Sequence, residues 1–324
     1  MEMFLTIARD NLISAPVLFF ALGFAATLAG GKLSLPDGVS RMLALYLMLC
    51  IGFKGGAAMT DSLAKGEFLV LLIMGVALSA VMPLISYILL SRMSNLPMVE
   101  RAAVAAHYGS ISVVTFAAAS DALSRLGVVT DGYMVAVAAA METPAIICAL
   151  LILFGRKGAS AGKAGYRSAL GEVFLNVTVI MLLGSFAIGL VTGQKGLGEL
   201  SGFIVTPFRG VLCLFLFDLG AKAAGGLRSS WGDLRLPLLA FAILMPLIGA
   251  ALGGGAAWLA GASLGNTALL MVLAASASYI AAPAAMRIAA PEARPTIYLG
   301  LSLGITFPFN LVVGLPIYFA LAGV

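Results

Sequence analysis

The chain has 324 residues, 61% of them hydrophobic and only 10% charged, with a mean hydropathy of +1.09. A soluble domain carries roughly a quarter charged residues, and surface-to-volume scaling gives it no means of burying this much apolar side chain. A soluble enzyme and a nucleic-acid-binding domain are therefore excluded, and the net charge of +5 reads as basic residue in cytoplasmic loops.

The first ten residues contain Glu2, Arg9 and Asp10 but no basic leader, and no small-x-small cleavage site follows. No cleaved signal peptide is expected. Ten apolar runs then recur, each long enough to cross a hydrocarbon core of roughly 30 Å. They are Leu12–Ala29, Val39–Met59, Phe68–Leu90, Ala102–Ala119, Tyr133–Phe154, Leu170–Val191, Leu200–Ala221, Leu234–Leu259, Thr267–Arg287 and Thr296–Ala322. Cys50, Cys148 and Cys213 lie inside such runs and read as small buried hydrophobes rather than a disulfide or metal set.

Between the fifth and sixth spans lies Gly155–Arg167, rich in Gly, Ala and Lys/Arg and free of acids. It divides the chain into 1–155, a linker 156–168, and 169–324. Placed in the cytoplasm, the linker carries most other basic residues inward with it, among them Lys32, Arg41, Arg92, Arg101, Lys222, Arg235, Arg287 and Arg294. That is the positive-inside bias expected of an inner (plasma) membrane protein with both termini outside.

Five spans per half is an odd number, so a repeated half must insert upside down. Internal similarity supports a repeat. Leu22-Gly23-Phe24 resembles Leu183-Gly184-Ser185-Phe186, and Gly52-Phe53-Lys54-Gly55-Gly56 resembles Gly220-Ala221-Lys222-Ala223-Ala224. Ser110-Ile111-Ser112 answers Ser276-Ala277-Ser278, and Glu142-Thr143-Pro144 answers Thr306-Phe307-Pro308. The predicted fold is all-α: ten transmembrane helices in two inverted five-helix repeats, with helices 4 and 9 broken and prolines interrupting the fifth and tenth.

The breaks are placed by depth. Ser110 lies nine residues from Arg101, and Ser278 nine from Arg287; at 1.5 Å per residue that is roughly 14 Å, near mid-membrane. Hydroxyls, Gly109 and Pro283 cluster there, and broken backbone at that depth must be buried in protein or line a wet cavity. A half-helix N-terminus offers unpaired N–H groups and partial positive charge, a place for an anion. The candidate substrate residues are Gly109, Ser110, Ser112, Thr115, Ser276, Ser278 and Tyr279, with Ser112, Thr115 and Ser278 also candidate Na+ ligands. The competing reading is that these hydroxyls only join helices.

Charge within a span is costly and usually functional. Glu142, Thr306 and Asn310 are candidates for ion coupling, unless Glu142 instead pairs with Lys54, Lys222 or Arg209. Asp218 and Lys222, at i and i+4, read as a helix-face ion pair. His107 is the only histidine, no nucleophile stands with a base, and neither an enzyme nor a cofactor beyond a coupling ion is expected.

Several stretches resemble the sodium-dependent bicarbonate transporter family, known from cyanobacteria and found more widely in bacteria. They are Ser14-Ala15-Pro16 through Gly31-Lys32-Leu33, Ile51 to Gly56, Tyr108-Gly109 with Ser112 and Thr115 to Ala119, Phe208-Arg209-Gly210 with Gly220, and Ala274 to Pro283. The resemblance implies Na+-coupled bicarbonate uptake, a homotrimer, and regulation at the cytoplasmic face by a PII-like protein. Tyr279 is a departure, standing where the family's Ser-Ser-Ser-Asp-Ile-Ser-Gly-Pro pattern has its carboxylate. Other readings are a transporter of another small anion such as an organic carboxylate, proton-coupled through Glu142, and an anion channel.

Overall fold

A computed structural model describes residues 9–31, 34–59, 66–157 and 177–324. Residues 158–168 of the linker, the first part of the sixth predicted span, and Lys32 lie outside the described residues. Among the described residues the regular structure is entirely helical. Among those residues seven helices are long and apolar enough to cross a membrane, which makes this a multi-pass membrane protein.

In chain order the elements are α1 (Ala15–Leu28), α2 (Asp37–Met59), α3 (Glu67–Met93), α4 (Met98–His107), α5 (Val113–Arg125) and α6 (Met134–Lys157). There follow α7 (Val177–Glu199), the single turn α8 (Ser201–Ile204), α9 (Phe208–Ser230), α10 (Leu236–Leu259), α11 (Leu264–Ala275), α12 (Ala281–Ala289) and α13 (Pro295–Ala322). The fourth predicted span is α4 plus α5, and the ninth is α11 plus α12. Each of these helices stops short and restarts, at 108–112 and 276–280.

Two groups of helices pack against each other. One contains α1, α2, α7 and α9; the other contains α3 to α6 and α10 to α13. Within the first, α1 lies on α9 and α2 on α7, through glycines that let the backbones touch. A Cβ on Gly23 would collide with the Phe217 carbonyl, one on Gly220 with that of Phe20, and one on Gly56 with that of Phe186. Small residues at such seams are how helices associate where lipid is as apolar as leucine. Gly193, at φ +60°, turns the chain within α7.

Two expectations need correction. The seventh span does not end at Ala221; α9 starts after Pro207 and runs on to Ser230. The Asp218–Lys222 pair, 3.0 Å apart at i and i+4, offsets the charge that had marked the end of the apolar run. Nor do Pro144 and Pro308 interrupt their helices. Beside Pro144, a Ser79 hydroxyl from α3 is spliced into the ladder of α6, accepting from Ala145 N–H at 3.2 Å and donating to the Met141 carbonyl. Pro308 lies between two π-helical turns, Ser302–Thr306 and Asn310–Gly314, and α13 passes through it.

The seam between α2 and α7 yields a test. Gly56→Ala should destabilise the protein by about 1–3 kcal/mol, the usual cost of overpacking. Gly184→Ala, in a position open for 4 Å around, should cost nothing in the same thermal unfolding assay in detergent.

Candidate functional site

The two breaks meet. Ser278 N–H donates to the His107 carbonyl at the end of α4, at 2.8 Å. In the other direction Ser112 N–H donates to Ser276 Oγ at 2.9 Å. Ser276 Oγ in turn donates to the Leu273 carbonyl at 2.8 Å. Ser112 is the N-cap of α5 and uses its whole hydroxyl: Oγ accepts from Thr115 N–H at 3.1 Å and Thr115 Oγ1 at 2.9 Å, and donates to the Tyr279 phenol at 3.0 Å. With one donor and two lone pairs spent, it has no oxygen left for a cation.

The carbonyl ends of the broken helices are likewise occupied. Asn310 Nδ2 donates to the Ala275 carbonyl at the end of α11, 2.9 Å away, and is held by Tyr318, whose hydroxyl donates to Asn310 Oδ1 at 2.7 Å. Thr306 Oγ1 donates at 2.6 Å to the carbonyl of Ala242, the group that Pro246 leaves without its i+4 donor, and Tyr108 lies 2.7 Å from the same oxygen. Thr306 and Asn310 therefore brace α13 against α10 and α11 from behind the crossing.

The N–H ends are less complete. The first N–H groups of any helix lack carbonyls behind them. Ser112 caps Thr115, and Ser278 Oγ lies 3.4 Å from Ala282 N. Val113, Val114 and Ala281 N–H have no backbone partner among the described residues. Both half-helix N-termini border one small cavity, lined by Ile111, Ser112, Val113, Glu142, Ser278 and Tyr279. Its volume of about 10 Å³ holds one water at most.

Two wider vestibules flank the crossing. One, of about 440 Å³, is lined by Asp37, Ser40, Arg41, Phe215 and Lys222 and reaches Tyr279 and Ile280. The other, of about 260 Å³, is lined by Lys54, Phe116, Asp121, Asp131 and Phe208. At the first, buried Asp218 accepts from Leu35 N–H at 2.8 Å and Ser40 Oγ at 2.6 Å beside its Lys222 partner. That arrangement pins the loop before α2 to α9.

Glu142 is not in an ion pair with any described residue. Lys54 sits 4.2 Å over the Phe208 ring, Arg209 faces Asp121 at 3.5 Å, and Lys222 is taken by Asp218. Glu142 is 3% exposed and its Oε2 has no hydrogen-bond partner. Ser110 Oγ and His107 Nε2 are buried without partners too; the other ring nitrogen, Nδ1, donates to the Ala103 carbonyl at 2.7 Å. Gly109 fits only because it lacks a side chain, since a Cβ would come within 2.5 Å of Pro83 Cδ and 2.7 Å of Ala145 Cβ.

Sequence reasoning overlooked Ser79, Ala242 and the bracing role of Tyr108. For Ala242 the signal was present: Pro246 frees the carbonyl four residues earlier, which must find a donor elsewhere in a membrane. It also overlooked Asn266 at the head of α11, whose Nδ2 lies 2.8 Å from Asp131 Oδ2, 2.8 Å from the Tyr133 hydroxyl and 3.1 Å from Glu67 Oε1.

Residues 15–323 match the family model described as the Na+-dependent bicarbonate transporter superfamily. No curated protein matches the sequence.

The hydroxyls of the crossing differ in what they hold. Ser276→Ala strips Ser112 N–H of its partner and should cost about 1–3 kcal/mol, the penalty for an unsatisfied buried donor. Ser110→Ala removes a hydroxyl that bonds nothing and should leave the unfolding temperature unchanged or slightly higher.

Proposed function

We propose that this chain, which belongs to the Na+-dependent bicarbonate transporter superfamily, is a secondary active transporter that takes a small monovalent anion, bicarbonate first, into the cell with Na+ as the coupling ion. The observation that carries the reading is the crossing. Two half-helix N-termini converge on one small cavity, while the neighbouring carbonyl ends are met by Ser278 N–H and Asn310. Such a site shows an anion free N–H groups and the positive ends of two helices. The anion is held there by Val113, Val114 and Ala281 N–H once the cavity opens.

A ten-span inverted repeat accounts for the packing. If the first five spans match the last five, the contact of span 1 with span 7 is the counterpart of that of span 6 with span 2. Those are the two glycine seams, α1 with α9 and α2 with α7. Binding at the meeting point of two inverted repeats is the usual plan of secondary transporters. A cavity that holds one water at most favours a transporter over an anion channel, which needs a continuous path. The inner membrane, with both termini outside, and a homotrimer complete the proposal. A PII-like regulator would act at the cytoplasmic face.

Purified protein in proteoliposomes should take up radiolabelled bicarbonate saturably when an inward Na+ gradient is applied, and not when choline replaces Na+. Conductive flux without ion coupling would show a channel.

A further inference from the structure

The acids of the smaller vestibule are engaged, and its lysine is not. Asp121 lies on two guanidinium groups, those of Arg125 at 3.1 Å and Arg209 at 3.5 Å. Asp131 is met by the Asn266 amide at 2.8 Å. Lys54 forms no ion pair among the described residues. Its ammonium rests on the face of Phe208, 4.2 Å from the ring centroid. An aromatic face steadies a cation that has lost part of its water, yet it neither neutralises the charge nor uses up a hydrogen bond. A lysine in a span that only needed water would reach along its helix toward the membrane surface. This one is held against a ring that shares the vestibule wall with it, and keeps its three N–H donors.

We infer that Lys54 is a docking point for the anion, separate from the crossing: a small monovalent oxyanion rests on its ammonium, within reach of the Ser120, Ser124 and Thr130 hydroxyls that line the same space. The inference rests on the transport reading and adds an earlier station on the anion's path. The topology proposed for the chain puts this vestibule outside. Its volume of about 260 Å³ has room for such an anion with part of its water shell, since one water takes about 30 Å³ of liquid. Phe116 also lines it and lies one turn of α5 beyond Val113, whose N–H meets the anion at the crossing. An anion on Lys54 thus waits beside the helix that receives it. A neutral hydroxyl set without the lysine would offer it no charge to replace the water it gives up.

The test has two arms. The first labels lysines of the folded wild-type protein with an amine-reactive acetylating ester and reads each position by mass spectrometry. Sodium bicarbonate in place of sodium gluconate, at fixed pH and ionic strength, should slow labelling of Lys54 severalfold and leave the exposed Lys195 unchanged. Equal rates at Lys54 in the two salts, or equal slowing at both lysines, overturn the assignment. The second arm is uptake into proteoliposomes. Lys54→Gln should raise the bicarbonate KM severalfold with kcat kept, and Lys54→Arg should restore most of the affinity. An unchanged KM in Lys54→Gln overturns the assignment, as does a loss confined to kcat, which marks a structural role. If Lys54 takes no label in either salt, uptake decides; if Lys54→Gln does not fold, labelling of the wild type decides. Protection of Lys54 in a protein that moves no anion refutes the transport reading and leaves the anion site standing. Na+-driven uptake with Lys54 unprotected and the Lys54→Gln KM unchanged refutes only this site.

Discussion

Lipid offers nothing to a peptide group, so every N–H and C=O freed inside the membrane must be met by protein. This chain breaks two helices at mid-depth and runs prolines through four others, α3, α6, α10 and α13. The consequences can be followed bond by bond. The His107 carbonyl is met by Ser278 N–H, that of Ala275 by Asn310, that of Ala242 by Thr306, and that of Met141 by Ser79. Each donor comes from a different element than its acceptor. The breaks are therefore what join the helices, and no one of them could be mended without loosening another.

The same accounting gives the crossing its polarity. The carbonyl end of α4 is met by Ser278 N–H and that of α11 by the Asn310 side chain, whereas the N–H ends of α5 and α12 are only partly capped. Positive potential is left over at the centre, with Glu142 as the single negative group on the cavity wall. The basic residues stay at the vestibule mouths, where water screens them and Asp218 and Asp121 balance them.

The glycine seams serve a different need. Between α1 and α9, and between α2 and α7, backbone rests on backbone with little side-chain interlocking. In the second group, by contrast, side chains reach across: Asn310, Thr306, Tyr108 and Ser79 each bind a neighbouring helix. The vestibules lie along the boundary between the two groups, with Lys222 and Arg41 on one side and Tyr279 on the other.

Local chemistry made much of this legible in the sequence. Apolar runs of bilayer length need no partner to be recognised, and the glycine, serine and proline clusters at Gly109–Ser112 and Ser276–Pro283 mark backbone that cannot stay helical on its own account. The Asp218–Lys222 pair follows from one helical turn. What could not be read was which distant group answers each freed bond. Pro144 and Pro308 look like breaks in one dimension, but a Ser79 hydroxyl from another helix and two widened turns carry the chain through. Glu142 had three candidate cations by composition, and packing sent all three elsewhere. Ser112 looked like a free ligand until its neighbours consumed its lone pairs. Segment and depth depend on neighbours along the chain, whereas charge balance and hydrogen-bond satisfaction depend largely on residues of other helices, 35 to 198 positions away in the bonds that brace the breaks, and those only the tertiary structure brings together.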